Sequence, residues 1–194
     1  GVTQGAGLSL QWFRNRLAPG TSYDALTAEA AQDPAGSQGL FWLPYLMGER
    51  TPHLDATARG GWIGLTAGHT RADLIRAIIE GVSYSQRDCL DIIEELGVAV
   101  NSVRASGGGA NSPFWRQVLA DVMAKRVVTL ETQEGSAYGA ALLALAREYG
   151  SVTETCRVAI RETGSVEPGP SAAVYGRGHK VYQGLYPALR GAAV

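Results

Sequence analysis

The sequence predicts an α/β fold, on three observations. Short apolar runs alternate with segments of helical periodicity from residue 60 onward, in the order strand, helix, strand, helix, strand, helix. A glycine-rich turn links one of these strands to a capped helix, an arrangement that α/β proteins use to bind ligands. The 194 residues are 45% apolar, which is enough to build one hydrophobic core.

The first third of the chain predicts two helices and two short strands. Residues 8–17 form a helical pattern, and Ser22 can cap a second, shorter helix. Residues 40–43 and 62–65 are apolar runs between turn signals, so we predict buried strands there. Residues 47–55 form the loop between them. This loop contains too many specific polar side chains to be interpreted as a simple linker.

The clearest element is a long helix after residue 70. The spacing of Thr70 and Asp73 resembles a capping box, and Gly97 ends the helical pattern. A strand is predicted at 127–130, and Ser136 can cap a helix of small residues that runs to Tyr149. A last helix is predicted from apolar residues at helical spacing: Val174, Val181, Tyr182, Leu185 and Leu189.

Composition excludes several classes of function. The net charge of −1 argues against nucleic acid and anionic membranes as partners, because both select basic surfaces. No apolar run reaches the length of a membrane span, and residues 1–16 lack the pattern of a signal peptide. Cys89 and Cys156 fit no disulfide or metal pattern, so we expect a cytoplasmic protein without a metal site of its own. His69 and His179 have no partner at ligand spacing, and we expect both at the surface.

The glycine excess is concentrated where a ligand could use it. Residues 103–105 read as a strand that runs into Gly107, Gly108 and Gly109, and Ser112 with Pro113 reads as the start of a helix. One glycine there would indicate only a tight turn, but three exceed what a turn needs. Free amides and the positive end of a helix dipole favour a phosphate or a ribose hydroxyl at this place.

The pattern alone leaves two kinds of nucleotide open. The P-loop motif is absent, so a Walker-type site is not expected. Gly107 and Gly109 fit a dinucleotide fingerprint, but Ser112 stands at its third glycine, and Glu131 follows at about the distance of a ribose-binding acid. An NAD-binding module is therefore an alternative, although the preceding strand is less apolar than such modules require.

Four segments carry a resemblance to a known family, and together they extend from about Gly5 to Leu189. Residues 60–65 with 73–74 and 77–80 resemble the second signature of the FGGY carbohydrate kinases. The loop 106–112 and the helix 114–121 resemble the adenosine loop of that family, and residues 7–12 match a further segment. Residues 41–53 are most similar to the xylulose kinase branch.

The resemblance implies an ATP-dependent sugar kinase of the actin, hexokinase and Hsp70 superfamily, with two ribonuclease-H-like lobes. Residues 1–194 would be most of the C-terminal lobe, which holds ATP or ADP with Mg²⁺. By resemblance, Gly7, Gln11, Gly108 and Ser112 contact the nucleotide. With the rest of the glycine turn, the candidate nucleotide-binding residues are Gly7, Gln11, Gly107, Gly108, Gly109, Asn111 and Ser112.

The same resemblance implies that parts of the kinase are not in this sequence. The sugar pocket, the general-base aspartate and the first antiparallel strands of the C-terminal lobe would precede residue 1. We therefore assign no catalytic residue, and we expect the chain alone to have no kinase activity. The aspartates at 55, 73, 88, 91 and 121 are interpreted as loop, cap or helix-face residues. An open sheet edge would then favour self-association or docking of the other half.

The leading hypothesis is phosphorylation of D-xylulose to D-xylulose 5-phosphate by the whole enzyme. The alternatives are another kinase of the family, acting on gluconate, glycerol or ribulose; the NAD-binding dehydrogenase module; and a nucleotide-binding regulatory module. The loop residues Glu49, Arg50 and His53 either face the cleft between lobes or form a structural loop with an internal Glu–Arg pair. Glu80 serves either packing or a hydrogen bond to a neighbouring loop.

Overall fold

The computed structural model describes residues 1–132 and 135–191, and these form an α/β structure, as the sequence predicts. From residue 61 onward the helices and strands alternate, except that two helices follow each other before the last strand. In chain order the elements are α1 (Ala6–Arg16), α2 (Tyr23–Ala30), β1 (Phe41–Leu43), β2 (Gly61–Ile63), α3 (Arg71–Glu95), β3 (Ser102–Ala105), α4 (Pro113–Met123), β4 (Arg126–Leu130), α5 (Ser136–Leu145), α6 (Val152–Ala159), β5 (Glu162–Val166) and α7 (Ala172–Leu189).

The strands form two separate sheets. β1 and β2 pair antiparallel, with Trp42 opposite Trp62. The second sheet has the order β3-β4-β5, in which β3 and β4 are parallel and β5 is antiparallel to β4. Helix α4 makes the crossover between β3 and β4, which places the turn that follows β3 at the carboxyl end of a parallel pair, where α/β sheets bind ligands.

Helix α3 is the centre of the core. The Thr70 hydroxyl and the Asp73 carboxylate form the reciprocal bonds of a capping box, which confirms the predicted start. Ile75, Ile78 and Ile79 are fully buried, and the helix packs against β1, α1, α2, α4 and α7. At Gly81 any Cβ would overlap the carbonyl of Trp42, so glycine is what lets α3 lie directly on β1.

The boundaries differ from the sequence prediction in the second half of the chain. Ser136 is the first helical residue of α5 and not its cap, because Gly135 occupies the cap position without a side-chain bond. That helix ends at Leu145 rather than Tyr149, and a second helix, α6, begins after Ser151, whose hydroxyl accepts a hydrogen bond from the N–H of Glu154. Both α6 and β5 are elements that the sequence pattern did not predict.

Within the described part of the chain, no helix is both long enough and apolar enough to cross a bilayer.

Candidate functional site

The candidate residues meet at a cavity of about 690 Å³ between α1, α2 and the turn that follows β3. Six of the seven line it: Gly7, Gln11, Gly108, Gly109, Asn111 and Ser112. The seventh, Gly107, lines an adjoining cavity of about 530 Å³ that shares Gly7, Gly108 and Gly109 with the first. The structure therefore brings together all the residues that the sequence singles out.

Helix α1 forms one wall of the cavity. Gly7 and Gln11 are four residues apart and so lie on the same face of the helix. A Cβ at Gly7 would meet nothing within 4 Å, so the glycine leaves open space on that face. Ser9 of the same helix joins it to β1. Its buried hydroxyl donates to the carbonyl of Gly5 (2.6 Å) and accepts from the indole N–H of Trp42 (3.1 Å).

The glycine turn forms the facing wall. Gly107 has φ +83° and ψ −178°, a conformation that is almost confined to glycine. Gly108–Asn111 then form a short 3₁₀ turn in which the N–H of Ala110 donates to the carbonyl of Gly107 (3.0 Å). A Cβ at Gly108 would meet nothing within 4 Å, whereas one at Gly109 would lie 3.3 Å from the ring of Trp115.

The cap of α4 is as predicted, but the connection between the glycines and this helix is not. Ser112 caps the helix by accepting a hydrogen bond from the N–H of Trp115 (3.3 Å), and Pro113 is the first helical residue. The glycines, however, do not lead directly into α4, because the 3₁₀ turn lies between. The glycines that line the cavity therefore belong to that turn and not to the first turn of α4, although Ser112 and Trp115 at the start of α4 also line it.

A third wall was not predicted from the sequence. It comprises Arg14 of α1 and the first turn of α2, with Tyr23 and Asp24. The guanidinium carbon of Arg14 lies 4.6 Å from the ring centroid of Tyr23, within cation–π range. Arg14 is three residues after Gln11, and that helical spacing was the one signal that could have placed it in the site.

The cavity offers binding groups rather than reactive ones. Glycine backbone, the Gln11 and Asn111 amides, the Ser112 hydroxyl and the Arg14 guanidinium can hold a polar ligand. Asp24 lines the cavity as an exposed residue. Glu131, the candidate ribose-binding acid of the NAD alternative, does not line the cavity and is exposed after β4, where its N–H donates to the carbonyl of Arg161 (3.0 Å).

The aspartates outside the cavity hold structural hydrogen bonds. Asp73 completes the α3 cap, and Asp121 of α4 accepts from the amide of Gln117 (2.9 Å). Asp55 accepts from Thr57 and Tyr186, and these hydrogen bonds lower its pKa to about 2. These three agree with their interpretation as cap, helix-face and loop residues.

Asp88 and His179 form a buried pair between two helices. Asp88 lies on α3, which agrees with its interpretation as a helix-face residue, and that face is buried, as it is at Asp121; His179 of α7 is only 8% exposed. The two are joined by a hydrogen bond of 2.8 Å between His179 Nε2 and Asp88 Oδ1. The expectation that His179 lies at the surface is wrong, because α7 docks along α3 and carries the ring inward.

Glu80 binds a neighbouring loop, one of the two roles that the sequence left open. Its carboxylate accepts from the N–H of Gly36 (3.0 Å) and the hydroxyl of Ser37 (2.9 Å). It also forms an ion pair of 2.7 Å with Arg76, in which both side chains are buried. Burial raises the pKa of Glu80, and the Arg76 charge acts in the opposite direction.

The polar loop is held by a different set of bonds from the expected Glu–Arg pair. The buried carboxylate of Glu49 accepts from the backbone N–H of Arg50 (2.6 Å) rather than from its guanidinium. It also accepts from the hydroxyl of Thr3 (3.0 Å), so the loop is anchored to the first residues of the chain. The ring of His53 stacks on Tyr186, with 3.8 Å between centroids.

Known proteins match the chain in sequence and in fold. The model of the FGGY family of carbohydrate kinases, C-terminal domain, matches residues 2–147. Xylulose kinase from Bacillus subtilis is 40% identical over 170 residues, which are 87% of this chain and 34% of that protein. This chain thus spans about a third of the length of that relative.

Two solved structures show the same architecture. The ligand-bound xylulose kinase from Lactobacillus acidophilus matches with a TM-score of 0.91 at 29% identity, over 98% of this chain and 39% of that one. Gluconate kinase from the same organism matches with a TM-score of 0.90, also at 29% identity and with the same coverage of each chain. These matches confirm the predicted fold class, that of the actin-like ATPases. By sequence and by fold, the chain belongs to the FGGY family of carbohydrate kinases.

Proposed function

We propose that this chain is the nucleotide-binding lobe of an ATP-dependent sugar kinase, and that residues 1–194 act as one unit of a larger enzyme. The observation that carries the proposal is the convergence of α1 and the glycine turn, two segments distant in sequence, on one cavity. Gly7 and Gly108 each leave open space where any other residue would place a side chain, which suits a ligand that approaches the backbone closely.

The polar side chains of the cavity would bind the nucleoside, and Mg²⁺ would accompany the phosphates. The amides of Gln11 and Asn111 and the hydroxyl of Ser112 can pair with a purine or a ribose, since each offers a donor and an acceptor. Mg²⁺ would arrive with the nucleotide, since kinases bridge the phosphates with this ion. The cavity volume of about 690 Å³ lies within the range of small-molecule sites.

For the acceptor, the proposal is D-xylulose, phosphorylated at its 5-hydroxyl. The similarity of the chain to xylulose kinases supports this choice. Gluconate is the second candidate, because a gluconate kinase has almost the same TM-score. Glycerol and ribulose remain alternatives, since the residues that would select the sugar are proposed to lie in the other lobe.

We further propose that the chain alone binds nucleotide without turning it over. A kinase needs a carboxylate within hydrogen-bond reach of the attacking hydroxyl. The buried or bonded aspartates at 55, 73, 88 and 121 already hold structural hydrogen bonds, as described above. Sugar-dependent release of ADP by the purified chain, given ATP, Mg²⁺ and D-xylulose, would contradict this part of the proposal without touching nucleotide binding.

Calorimetric titration of the chain with ADP and with NAD separates the main alternatives. Binding of ADP and not of NAD is expected. Gly108→Leu should weaken ADP binding at least about tenfold, because Gly108 lines the cavity and a side chain would begin there in open space. Gly184→Leu is the matched control, since Gly184 lies on α7 and a Cβ there also meets open space.

Two results would overturn the site. One is ADP binding that Gly108→Leu leaves unchanged, and the other is binding of NAD in preference to ADP. The regulatory alternative is tested separately. If the chain joined to the N-terminal lobe of a related kinase still binds ADP but shows no phosphoryl transfer, the chain is a nucleotide-binding regulatory module rather than part of an enzyme.

We also propose that the chain self-associates through an open edge of its sheet. In the described sheet, β3 pairs with β4 on one side, and its other edge has no strand partner. An unpaired edge can add a strand from another chain. Light scattering that gives a monomer mass at every concentration would argue against it.

A further inference from the structure

A buried cluster joins α3 to α7 on the side of His53, away from the proposed nucleotide site. Asp88, Asp91 and His179 each place one possible ligand atom so that all three atoms lie within 4.8 Å of one another. A cavity of about 200 Å³ adjoins them and is lined by Asp88 and Asp91 together with His53 and Glu95. Neither the family resemblance nor the proposed kinase function uses Asp88, Asp91 or His179.

The hydrogen bonds of the cluster fix the form of the imidazole. An ionised Asp88 can only accept, so the 2.8 Å bond to its Oδ1 requires a proton on Nε2 of His179. Gln183 donates to the same oxygen at 3.2 Å. This is the arrangement in which a carboxylate orients a histidine whose other nitrogen binds a metal.

That other nitrogen faces a carboxylate at a distance that a hydrogen bond does not explain. Nδ1 of His179 lies 3.9 Å from Oδ2 of Asp91, beyond the range of an N–H···O bond. Two ligands at about 2.1 Å from one tetrahedral ion are about 3.4 Å apart, so an inward movement of about 0.5 Å would let both atoms bind one ion. Arg87 is bonded to the other oxygen of Asp91, and within the described residues Oδ2 accepts no hydrogen bond.

The charges favour a cation at the same place. Asp88, Asp91 and Glu95 bring three carboxylates to the cluster and its cavity, and Arg87 supplies one compensating guanidinium. The side chains of His179 and Asp91 are 10% and 26% exposed, so the position is partly shielded from water and still accessible. The space beside it can hold the waters that would complete the coordination.

We propose that Asp91 and His179, supported by Asp88, bind a divalent transition-metal ion of the Zn²⁺ type. One imidazole nitrogen and carboxylate oxygens are a donor set that suits Zn²⁺ and disfavours Mg²⁺, which prefers oxygen alone. The ion would tie α7 to α3 and so act on stability rather than on phosphoryl transfer. The proposal is independent of the proposed kinase function.

Titration of the 194-residue chain with Zn²⁺ alone and with Mg²⁺ alone tests the site. One Zn²⁺ per chain is expected, bound at least about tenfold more tightly than Mg²⁺. Asp91→Asn and His179→Gln should each weaken Zn²⁺ binding at least about tenfold. Asp91→Asn keeps the shape of a partly exposed side chain, so it decides the question even if His179→Gln fails to fold.

Two control variants address the other groups that bind Zn²⁺. His69→Gln and Cys89→Ser should leave the affinity unchanged, because His69 lies before the start of α3 and Cys89 is not among the three clustered residues. Zn²⁺ should also raise the Tm of the wild-type chain and not that of Asp91→Asn. The proposal fails if wild-type chain binds no Zn²⁺ below about 1 mM, if Asp91→Asn binds as tightly, or if Cys89→Ser abolishes binding.

Discussion

Two ion pairs of helix α3, one within the helix and one to Glu29 of α2, have similar lengths and very different burial. Arg76 pairs with Glu80 at 2.7 Å, with side chains 7% and 3% exposed. Arg71 pairs with Glu29 at 2.6 Å, with side chains 52% and 27% exposed. Arg76→Met and Arg71→Met remove the same charge from pairs of similar length, so the difference between them measures the buried surroundings of Arg76, including its further hydrogen bonds.

The expected loss for Arg76→Met is about 3–5 kcal/mol of unfolding free energy, because the substitution leaves a carboxylate buried without its counterion. Glu80 keeps its hydrogen bonds to Gly36, Ser37 and Tyr175, which limits the loss. The substitution also removes the hydrogen bonds of the guanidinium to the hydroxyl of Tyr175 (2.7 Å) and to the backbone carbonyls of Ala30 (3.3 Å) and Asp33. For a protein of this length, such a loss lowers the Tm by about 6–20 °C.

Arg71→Met should leave stability nearly unchanged, since water and salt screen an exposed pair. Urea unfolding at neutral pH, followed by far-UV circular dichroism, measures both variants. The double variant Arg76→Met with Glu80→Gln should recover part of the loss, because it removes the uncompensated charge. Equal losses in the two single variants, or no recovery in the double variant, would refute the argument from burial.

Two further predictions concern a histidine and a glycine. Burial lowers the pKa of His53 below 6.5, so its neutral ring contributes stability that is present above that pH and is lost as the pH falls. The urea midpoint of wild type should therefore decrease more between about pH 7.5 and about pH 5.5 than that of His53→Gln, and equal decreases would contradict it. Gly107→Ala should cost about 1–3 kcal/mol, since φ is +83° there, whereas Gly184→Ala in the exposed middle of α7 should stabilise the protein by about 0.5–1 kcal/mol. A loss at Gly184 equal to that at Gly107 would show that the backbone conformation is not the cause.

The parts of the fold that depend on neighbouring residues could be predicted from the sequence. The cap of α3 needs only Thr70 and Asp73, and the start of α4 needs only Ser112 and Pro113. The helical spacing of the apolar residues identified α3, although residues 75–85 are buried on every side of the helix and not on one face alone. The glycine turn was recognised because three consecutive glycines, Gly107 to Gly109, stand between a predicted strand and a capped helix.

The parts of the fold that depend on contacts between residues distant in sequence could not be predicted from the sequence. Strand β5 is largely exposed and has no apolar alternation, so it is defined by its bonds to β4 and not by its own residues. The burial of His179 follows from how α7 lies on α3, which no local pattern contains. The Arg14–Tyr23 wall likewise appears only once α1 and α2 are packed together.

The four tryptophans divide into two optical populations. Trp12, Trp42 and Trp62 have ring centroids 4.5–5.9 Å apart, and the indole N–H of Trp42 is bonded to Ser9 in the interior. Trp115 stands apart from them on the wall of the candidate site, beside the glycine turn. A ligand that binds in that cavity would therefore change the emission of Trp115, whereas the other three tryptophans do not line the cavity. The intrinsic fluorescence of the unlabelled protein would thus report ligand binding.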